Sequence, residues 1–332
     1  MPADVTIYAV ADLAGVGIAT VSRVINGSPQ VSPQTRGRVR QAIADLGYRP
    51  NRAACHLAGG RTRQARIAVL LPFFSAHFYF SVTKALAHEL AGSPADLALY
   101  DIRDRSDKNR VLDRLLAERA CDGLVLVGCS IGDQRCDQLE RLGLPAVLID
   151  RRHPRLPWVT IDNARGGRLM AEHLHACGAR RPGIIAGPDR AVALADRAAA
   201  LDATLGGAPR ETAAALESAA GAVATRELLE RHPDLDALAC VNDALAVGAL
   251  EALRSIGRRV PDEVQVIGFD DQPFMDFIGL TTIRQPMATF GHWAGRSILT
   301  MITRPGQRPD DRLLPIHLVP RHTTRTPQEH SP

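Results

Sequence analysis

The chain lacks the features that mark a membrane protein, a secreted protein or a zinc protein. No stretch of its 332 residues reaches the roughly 18 uninterrupted apolar residues that a membrane-spanning helix needs. Its start, MPADVTIYAV, has no basic segment followed by an apolar core, so we expect no signal peptide. The six cysteines are scattered, without a CxxC pair or a zinc-like spacing. We therefore predict reduced thiols in a cytoplasmic protein that needs no metal and no cofactor.

Lysine is also missing from the first 63 residues, where all basic charge comes from arginine. This segment holds eight arginines against three aspartates, a net charge of 8 − 3 = +5. The whole chain carries +4, so the remaining residues sum to −1. A basic head on a near-neutral body is typical of a DNA-binding module joined to a sensing domain.

The stretch from Thr6 to Asn26 predicts two short helices joined by a tight turn. Val10, Leu13 and Ala14 recur at the three- and four-residue spacing of one buried helical face. Gly15 can adopt the positive φ that ends a helix. In the second helix the spacing predicts three inward residues, Val21, Val24 and Ile25.

The other side chains of the second helix suit the major groove of DNA. They are mostly small, hydroxylated or basic, namely Ile18, Ala19, Thr20, Ser22, Arg23 and Asn26. Arg23 can form two hydrogen bonds with a guanine edge, and Ala19 can touch a thymine methyl group. Thr20 and Ser22 can donate to phosphates. A third helix, capped by Ser32 with Pro33 at its first position, completes a head of about 45 residues.

From Ile67 onward the pattern changes to alternating strands and helices. The continuous apolar run Ile67–Leu71 is typical of a strand buried on both faces of a parallel sheet. Similar runs are Leu97–Tyr100, Gly123–Val127, Ala146–Ile149, Ile184–Ala186, Leu238–Val241 and Val264–Phe269. Stretches that read as helices include Val111–Arg119, Ala164–Cys177 and Ala244–Ile256. The alternation predicts two doubly wound sheets, with a ligand cleft at the carboxyl ends of the strands.

The head pattern T-I-Y-x-V-A-x-L-A-G-V-x-x-x-T-V-S-R-V-x-N resembles the lactose-repressor/galactose-repressor (LacI/GalR) family of bacterial transcription regulators. The body carries motifs similar to those of the same family, including Asp122-Gly123-Leu124-Val125-Leu126, Ile161-Asp162-Asn163 and Gly268-Phe269-Asp270-Asp271. The resemblance covers roughly residues 6–322. It implies an all-α helix-turn-helix head with a hinge helix, and a type I periplasmic-binding-protein-like α/β domain. Three strands are expected to cross between the two lobes of that domain.

The resemblance also implies a division of the chain. We expect a helix-turn-helix domain at 1–49, a hinge segment at 50–63, an effector-binding and dimerisation domain at 64–322, and a disordered tail at 323–332. In the family, the hinge folds into a helix only on DNA and inserts a leucine into the minor groove. Ala54 and Leu57 match the positions of that helix, and Tyr48 and Asn51 match phosphate contacts.

Six residues are candidates for effector contacts by the same resemblance. Phe78 and Tyr79 supply aromatic rings, whereas the polar groups come from Asp150, Arg197, Asn242 and Asp270. Such groups suit a sugar or a nucleoside, which presents hydroxyls and an apolar ring face. Simpler roles stay open: capping of the next turn for Asn242 and Asp270, a solvated helix face for Arg197, and core packing for both aromatic residues.

The chain also departs from the family pattern. An acid usually stands where Ala9 lies, and a serine where Gly17 lies, so two capping groups are missing and we expect somewhat weaker DNA binding. Arg197 is followed by alanines instead of Gly-Phe, residues 187–221 are several residues short, and the region near Leu216 lacks a stacking aromatic residue. These departures predict a remodelled or weakened effector pocket.

The resemblance predicts a repressor that acts as a homodimer, with a tetramer as the alternative, and that associates with the nucleoid. It binds double-stranded operator DNA and a small-molecule effector, without catalysis. One rival is a serine hydrolase, because Gly128-Cys129-Ser130-Ile131-Gly132 matches a GxSxG nucleophile elbow. Another is an architectural DNA-binding protein without an effector. His173, His175 and Cys177 do not form a metal set, because helix positions two apart point away from each other.

Overall fold

The computed structural model describes residues 6–25, 28, 30–46, 64–72, 76–188 and 192–327, with the backbone alone at 192. The chain divides into two compact units, Met1–Ala65 and Arg66–Pro332. No single helix in the described part is long and apolar enough to cross a membrane. The first two helices would pass that test as a pair, but the chain bends by 102° between them.

The head contains the three predicted helices, α1 (Ile7–Ala14), α2 (Ile18–Ile25) and α3 (Pro33–Leu46). The hydroxyl of Thr6 caps α1 by accepting from the Ala9 amide at 3.4 Å, and Gly15 ends that helix with φ 61°. Ser32 caps α3 in the same way by accepting from the Thr35 amide. The core of the head is built from small side chains, Val10, Ala11, Ala14, Val21, Val24, Val31, Val39 and Ala42.

The prediction that Leu13 is buried is wrong, because 56% of its surface is exposed. The apolar stripe of α1 starts one turn earlier, at the half-buried Ile7, and continues through Val10, Ala11 and Ala14. These positions follow the i, i+3, i+4, i+7 spacing of one helical face, which excludes Leu13. Leu13 was predicted on the buried face because Ala11 was not counted as a core residue.

From Ala65 onward, strands and helices alternate through most of the chain. In chain order the elements are β1 (Ala65–Leu71), α4 (His77–Leu90), β2 (Ala95–Asp101), α5 (Arg105–Ala117), β3 (Gly123–Val127), α6 (Asp133–Leu142), β4 (Ala146–Ile149), β5 (Trp158–Ile161), α7 (Asn163–Ala176), β6 (Pro182–Ala186), α8 (Val192–Leu205), β7 (Arg210–Thr212), α9 (Ser218–Arg231), β8 (Ala237–Cys240), α10 (Asp243–Ser255), β9 (Gln265–Ile267), α11 (Met275–Ile278), β10 (Thr282–Arg284), α12 (Met287–Thr303), β11 (Arg312–Leu314) and β12 (His317–Val319).

Two separate sheets form the two lobes of this unit. The first has the strand order β11-β5-β4-β3-β1-β2, and the second has the order β7-β6-β8-β9. Strand β1 shows why its sequence is apolar throughout: Ile67, Val69 and Leu71 enter one core cluster, whereas Ala68 and Leu70 enter the other. Both faces of the first sheet are therefore buried at β1, as expected for a parallel strand covered by helices.

The chain crosses between the lobes three times, as the resemblance implied. It passes from β5 to α7, returns from β10 to α12, and crosses again from β11 to β12. Strands β10 and β12 pair antiparallel with each other between the two sheets. The predicted fold class, a helix-turn-helix head followed by a two-lobed α/β domain, is confirmed.

The prediction of a disordered tail is wrong for its first residues. Thr323 and Thr324 are buried, and the Thr323 hydroxyl donates to the Val266 carbonyl at 2.7 Å. The Arg325 amide donates to the Gln265 side chain at 2.9 Å. The polar side chains of Thr323 and Thr324 and the backbone of Arg325 are therefore held by partners on other elements.

Candidate functional site

Helix α2 presents the side chains that the sequence predicts for DNA reading. Ile18, Ala19 and Arg23 are exposed, and Thr20 and Ser22 are half-buried. On the opposite side, Val21 and Val24 are buried in the head core. The remaining predicted DNA contacts lie outside the described residues, namely Asn26, Tyr48, Asn51, Ala54 and Leu57.

A cavity of about 350 Å³ lies between the two lobes of the second unit. All six predicted effector residues line it, namely Phe78, Tyr79, Asp150, Arg197, Asn242 and Asp270. Asp150 follows β4 in the first lobe, whereas Asn242 follows β8 and Asp270 follows β9 in the second. The carboxyl ends of both sheets therefore face the same space, where ligands of doubly wound sheets bind.

Asp150 and Arg197 are connected through one amide side chain. Asn163 donates from its side-chain nitrogen to Asp150 at 3.3 Å and accepts from the Arg197 guanidinium at 2.7 Å. The Asp150 backbone has φ 58°, a left-handed conformation that is uncommon for a residue other than glycine. Burial raises the pKa of Asp150, opposed by the charges of Arg151 and Arg197 and by hydrogen bonds from Asn163 and Thr160.

Arg197 is a buried cation at the centre of the cavity wall. Only 3% of its surface is exposed, so the alternative of a solvated helix face is wrong. Its guanidinium donates to the Val241 carbonyl, and its central carbon lies 3.2 Å from the centre of the Phe269 ring. Burial lowers the pKa of Arg197 to about 10, although the charges of Asp270, Asp150 and Asp243 oppose that shift. The group therefore stays positively charged at neutral pH.

Asp270 is held by two amide side chains, one from its own loop and one from the residue that follows β10. Gln285 donates to one of its carboxylate oxygens at 2.6 Å, and Gln272 donates to the other at 3.2 Å. Asp243 lies close by. Its carboxylate accepts from the Thr282 hydroxyl at 2.5 Å and from the backbone N–H of Gln272 at 2.8 Å. Burial raises the pKa of Asp270 to about 6, opposed mainly by Arg197. It also raises the pKa of Asp243, where the charge of Asp270 adds to the effect.

Asn242 has both of the roles considered for it. Its side-chain oxygen caps α10 by accepting from the Leu245 amide at 2.9 Å, and the residue also lines the cavity.

The two aromatic residues likewise belong partly to the core. Phe78 packs edge-on against Tyr79 and Phe290, with ring centres 5.2 Å and 5.6 Å away. Core packing and cavity lining therefore do not exclude each other at these positions.

The aliphatic part of the cavity comes from the second lobe. Leu194 and Leu216 line it from the 187–221 stretch, and Val247 lines it from α10. Gly187 gives Leu216 its space, because a methyl group built on Gly187 would lie 2.6 Å from a terminal carbon of Leu216. The first lobe thus supplies the aromatic rings of Phe78 and Tyr79, and the second lobe supplies branched aliphatic chains.

Four further polar residues belong to this site and were missed as candidates: Asn163, Asp243, Gln272 and Gln285. Three of them stand beside a quoted motif or a predicted contact. Asn163 ends the Ile161-Asp162-Asn163 motif, Asp243 follows Asn242, and Gln272 follows Asp271. Apart from the bond between Gln272 and Asp270, their bonds join positions at least 13 residues apart, so spacing along the chain could not show them.

Ser130 has the setting of a strand-end loop, and among the described residues no histidine lies in the wall of its cavity. The serine follows β3 and precedes α6, as a nucleophile elbow would. His292 instead contacts Glu89 at 3.0 Å, and Asp270 is held by glutamines. Among the described residues, the Ser130 hydroxyl therefore has no histidine in its cavity to act as a general base.

The described residues also contain no group of three or more histidine, cysteine or acidic side chains that could hold a metal ion. His173 is buried and shares a hydrogen bond of 2.9 Å with the Thr324 hydroxyl. Its Nε2 also lies 3.5 Å from the Cys177 sulfur. This histidine therefore has a structural role in anchoring the segment around Thr324.

Comparison with known proteins connects both regions to one family. The model for "Bacterial regulatory proteins, lacI family" matches residues 6–51, and the model for "Periplasmic binding protein-like domain" matches residues 171–324. The transcriptional regulator CelR of Thermobifida fusca is 35% identical over 333 aligned residues, covering 96% of this chain and 98% of CelR.

Two solved structures extend this comparison. The complex of CelR with cellobiose is 32% identical, covers 96% of this chain and 99% of its own, and has a TM-score of 0.67. The lac repressor dimer bound to operator and the anti-inducer ONPF is 29% identical, covers 97% and 99%, and has a TM-score of 0.72. The chain therefore belongs to the LacI family of bacterial regulatory proteins, which are transcription regulators and not enzymes.

Proposed function

We propose that this protein is a repressor that binds a pseudo-palindromic operator as a homodimer and releases or tightens it when a sugar occupies the cavity between the lobes. The observation that carries the proposal is the cavity itself. Carboxylate, guanidinium and amide groups line it from both lobes, among them those of Asp150, Arg197 and Asp270, beside two aromatic rings. Such a set can bind several hydroxyls and one apolar ring face together.

DNA reading is assigned to the exposed face of α2. Arg23 lies in the last turn of that helix with its side chain exposed, and Ala19 and Ile18 lie on the same accessible side. In this proposal Arg23 recognises a guanine edge, and Thr20 and Ser22 contact phosphates. We further propose that Asn26, Tyr48 and Asn51 contact DNA, and that Ala54 and Leu57 form the minor-groove wedge in a hinge at 50–63.

Dimerisation is supported by exposed apolar side chains on both lobes of the second unit. Phe274 and Phe277 expose 76% and 90% of their surfaces, and Phe80 and Leu99 are exposed on the first lobe. Large exposed aromatic groups are typical of interaction surfaces. We propose that a second copy of this chain covers them, because two heads then read two half-sites of a symmetric operator. A tetramer stays the alternative assembly.

The effector class follows from the same cavity. CelR, a relative, forms a complex with cellobiose. In the present chain the carboxylates of Asp150 and Asp270 and the guanidinium of Arg197 offer hydroxyl-binding groups, so we propose a sugar and keep a nucleoside as the alternative. We propose a cytoplasmic location at the nucleoid, where the operator lies, and domain boundaries at 49/50 and 63/64.

The test begins with selection of DNA from a random pool by the purified full-length protein. We expect a two-fold symmetric site of about 14–20 base pairs. Arg23→Ala should lose the preference at one base pair of each half-site, a discrimination of about 1–3 kcal/mol. The matched control is Arg40→Ala, which removes an exposed charge from α3 and should weaken all sequences equally. Absence of any enriched sequence at low salt would contradict the proposal.

The DNA site obtained by selection is then used to identify the effector. A sugar and nucleoside panel is screened for release or tightening of this DNA, and each active compound is tested on Asp270→Asn and on Asp276→Asn. Asp276 is an exposed carboxylate on α11 and serves as the control. We expect the response to be lost only in Asp270→Asn. A protein that binds the symmetric site but responds to no compound would instead be an architectural DNA-binding protein.

A further inference from the structure

The first lobe contains a second cavity that the regulator scheme does not use. Its volume is about 480 Å³, and it lies at the carboxyl ends of β1, β2 and β3. Its wall includes the loop 128–132, which carries the GxSxG pattern, and the start of α5. It lies close to the cavity between the lobes. A methyl group built on Gly128 would lie 3.0 Å from the Tyr79 hydroxyl, which belongs to the other cavity.

Positive charge dominates the wall of this second cavity. Three cationic side chains line it, Arg103, Arg105 and Lys108, against one carboxylate, Asp104, for a net charge of 3 − 1 = +2. The Asp104 carboxylate caps α5 by accepting from the Asp107 amide at 2.8 Å. Arg103 is partnered by Asp107. The remaining two cations, Arg105 and Lys108, therefore account for the net positive charge of the cavity.

Neither of these two cations has a carboxylate partner within the described part of the chain. Arg105 is exposed at the cavity mouth and makes no hydrogen bond or ion pair with a described residue. The Lys108 ammonium is half-buried and donates to the Ser130 carbonyl. A half-buried ammonium without a counter-charge is costly, because a neutral carbonyl replaces only part of its hydration.

The electrostatic surroundings of Lys108 disfavour its charged form. Burial lowers the pKa of Lys108, and the nearby positive charges of Arg105 and Arg135 lower it further, opposed by Cys129. A bound anion would reverse this imbalance and restore a full counter-charge to the ammonium.

The rest of the wall suits a ligand with an uncharged body. Pro72, Ile102 and Ile131 provide apolar surface, and Ser130 adds a hydroxyl beside Lys108. A volume near 480 Å³ is within the range of small-molecule sites. It exceeds what an inorganic anion alone would fill.

We propose that this second cavity binds a small phosphorylated metabolite, whose phosphate contacts Arg105, Lys108 and the Ser130 hydroxyl and whose body packs against Pro72, Ile102 and Ile131. A phosphate monoester carries close to two negative charges at neutral pH and accepts several charge-assisted hydrogen bonds. The site is separate from the cavity assigned to the effector, so the regulator could respond to two chemically different ligands.

Lysine labelling tests this site directly, because Lys84 and Lys108 are the two lysines of the chain. Lys84 is exposed on α4 and serves as an internal control. Full-length protein is acetylated with an amine-reactive ester in the presence of glucose 6-phosphate, glucose or inorganic phosphate, and the modified peptides are quantified by mass spectrometry. We expect glucose 6-phosphate to slow the labelling of Lys108 and leave Lys84 unchanged, and glucose to protect neither.

Calorimetric titration with glucose 6-phosphate then identifies the binding groups. Arg105→Gln and Lys108→Gln should each weaken binding by roughly ten- to hundredfold, the usual effect of losing one hydrogen bond to a charged group. Lys84→Gln is the matched control and should bind like the unchanged protein. Arg105 has no described partner, so its replacement tests the site without disturbing the fold.

Three outcomes would overturn the proposal. Equal protection of Lys84 and Lys108 would indicate a general effect of the anion. Equal affinity in Arg105→Gln and Lys84→Gln would exclude this cavity as the binding site. Inorganic phosphate that binds as tightly as glucose 6-phosphate would refute a role for the organic body. None of these measurements uses DNA, and the comparison of Arg105→Gln with Lys84→Gln separates binding in this cavity from binding between the lobes, so failure here leaves the proposed regulator function untouched.

Discussion

The two units of this chain carry their functional side chains in opposite ways. In the head, the candidate reading residues Ala19 and Arg23 are exposed, and a core of small valine and alanine side chains supports them from behind. In the second unit, Asp150, Arg197 and Asp270 line the cavity with polar groups that hold one another through amide side chains. A substitution in the head can therefore change recognition alone, whereas one in the cavity changes recognition and stability together.

The largest expected effect comes from removing the cation at the cavity wall. Arg197→Ala leaves the buried carboxylates of Asp150 and Asp270 without their shared positive neighbour. Breaking a buried charge network in this way costs about 3–5 kcal/mol in the free energy of unfolding. Urea denaturation of the second unit measures the loss. The control is Arg180→Ala, an exposed arginine outside the cavity, which should change stability by about 0.5 kcal/mol or less. Similar losses in the free energy of unfolding for Arg197→Ala and Arg180→Ala would contradict the role of Arg197 as a buried counter-charge.

The head offers a paired test of its small core. Val10→Ala removes buried methyl groups and should destabilise the head by about 2 kcal/mol, because the cavity left behind closes only in part. Leu13→Ala removes more atoms from the same helix but from an exposed position, so it should cost about 0.5 kcal/mol or less. Thermal unfolding followed by circular dichroism compares the two. A larger effect for Leu13→Ala would contradict the packing of α1.

The smallest effect is a pH dependence that belongs to the second unit. The folded pKa of Asp270, about 6, lies above its ordinary value of 3.8 because the group is buried. Since the folded state holds this proton more tightly, the group stabilises the fold below pH 4, and that stabilisation is lost as pH rises through about 6. We expect the free energy of unfolding to fall on the order of 1–2 kcal/mol more between pH 4 and 7 in the unchanged protein than in Asp270→Asn.

Asp243 lies beside Asp270, and its pKa is raised as well, so the experiment needs an exposed control carboxylate. Its pKa is also raised by burial, and the charge of Asp270 contributes to that rise. Asp276→Asn, an exposed carboxylate, should reproduce the pH profile of the unchanged protein. If the pH profiles of the unchanged protein and of Asp270→Asn are parallel, the pKa of Asp270 is not raised in the folded state, and the prediction is contradicted.

Much of the architecture could be predicted from local patterns. The apolar runs Gly123–Val127 and Ala146–Ile149 coincide with β3 and β4, because a strand buried on both faces needs an uninterrupted apolar sequence. Gly15 and Ser32 mark helix ends through their own backbone and side-chain chemistry. The positions of strands β10 and β12 were not predicted, because each has only three residues and its partner strand lies more than thirty residues away in sequence.

The sequence by itself determined the family, the three helices of the head, the alternating strands and helices, and the set of side chains expected at the cavity. Periodicity and motifs act over a few residues, so they are visible along the chain. Only the tertiary structure decided that Arg197 is buried, that Leu13 is exposed, and that the segment after residue 322 packs against the second lobe. The partners of these residues come from other elements: Arg197 meets Asn163 and Val241, and Thr323 meets Val266. Burial and ion pairing depend on such distant partners, which no short stretch of sequence contains.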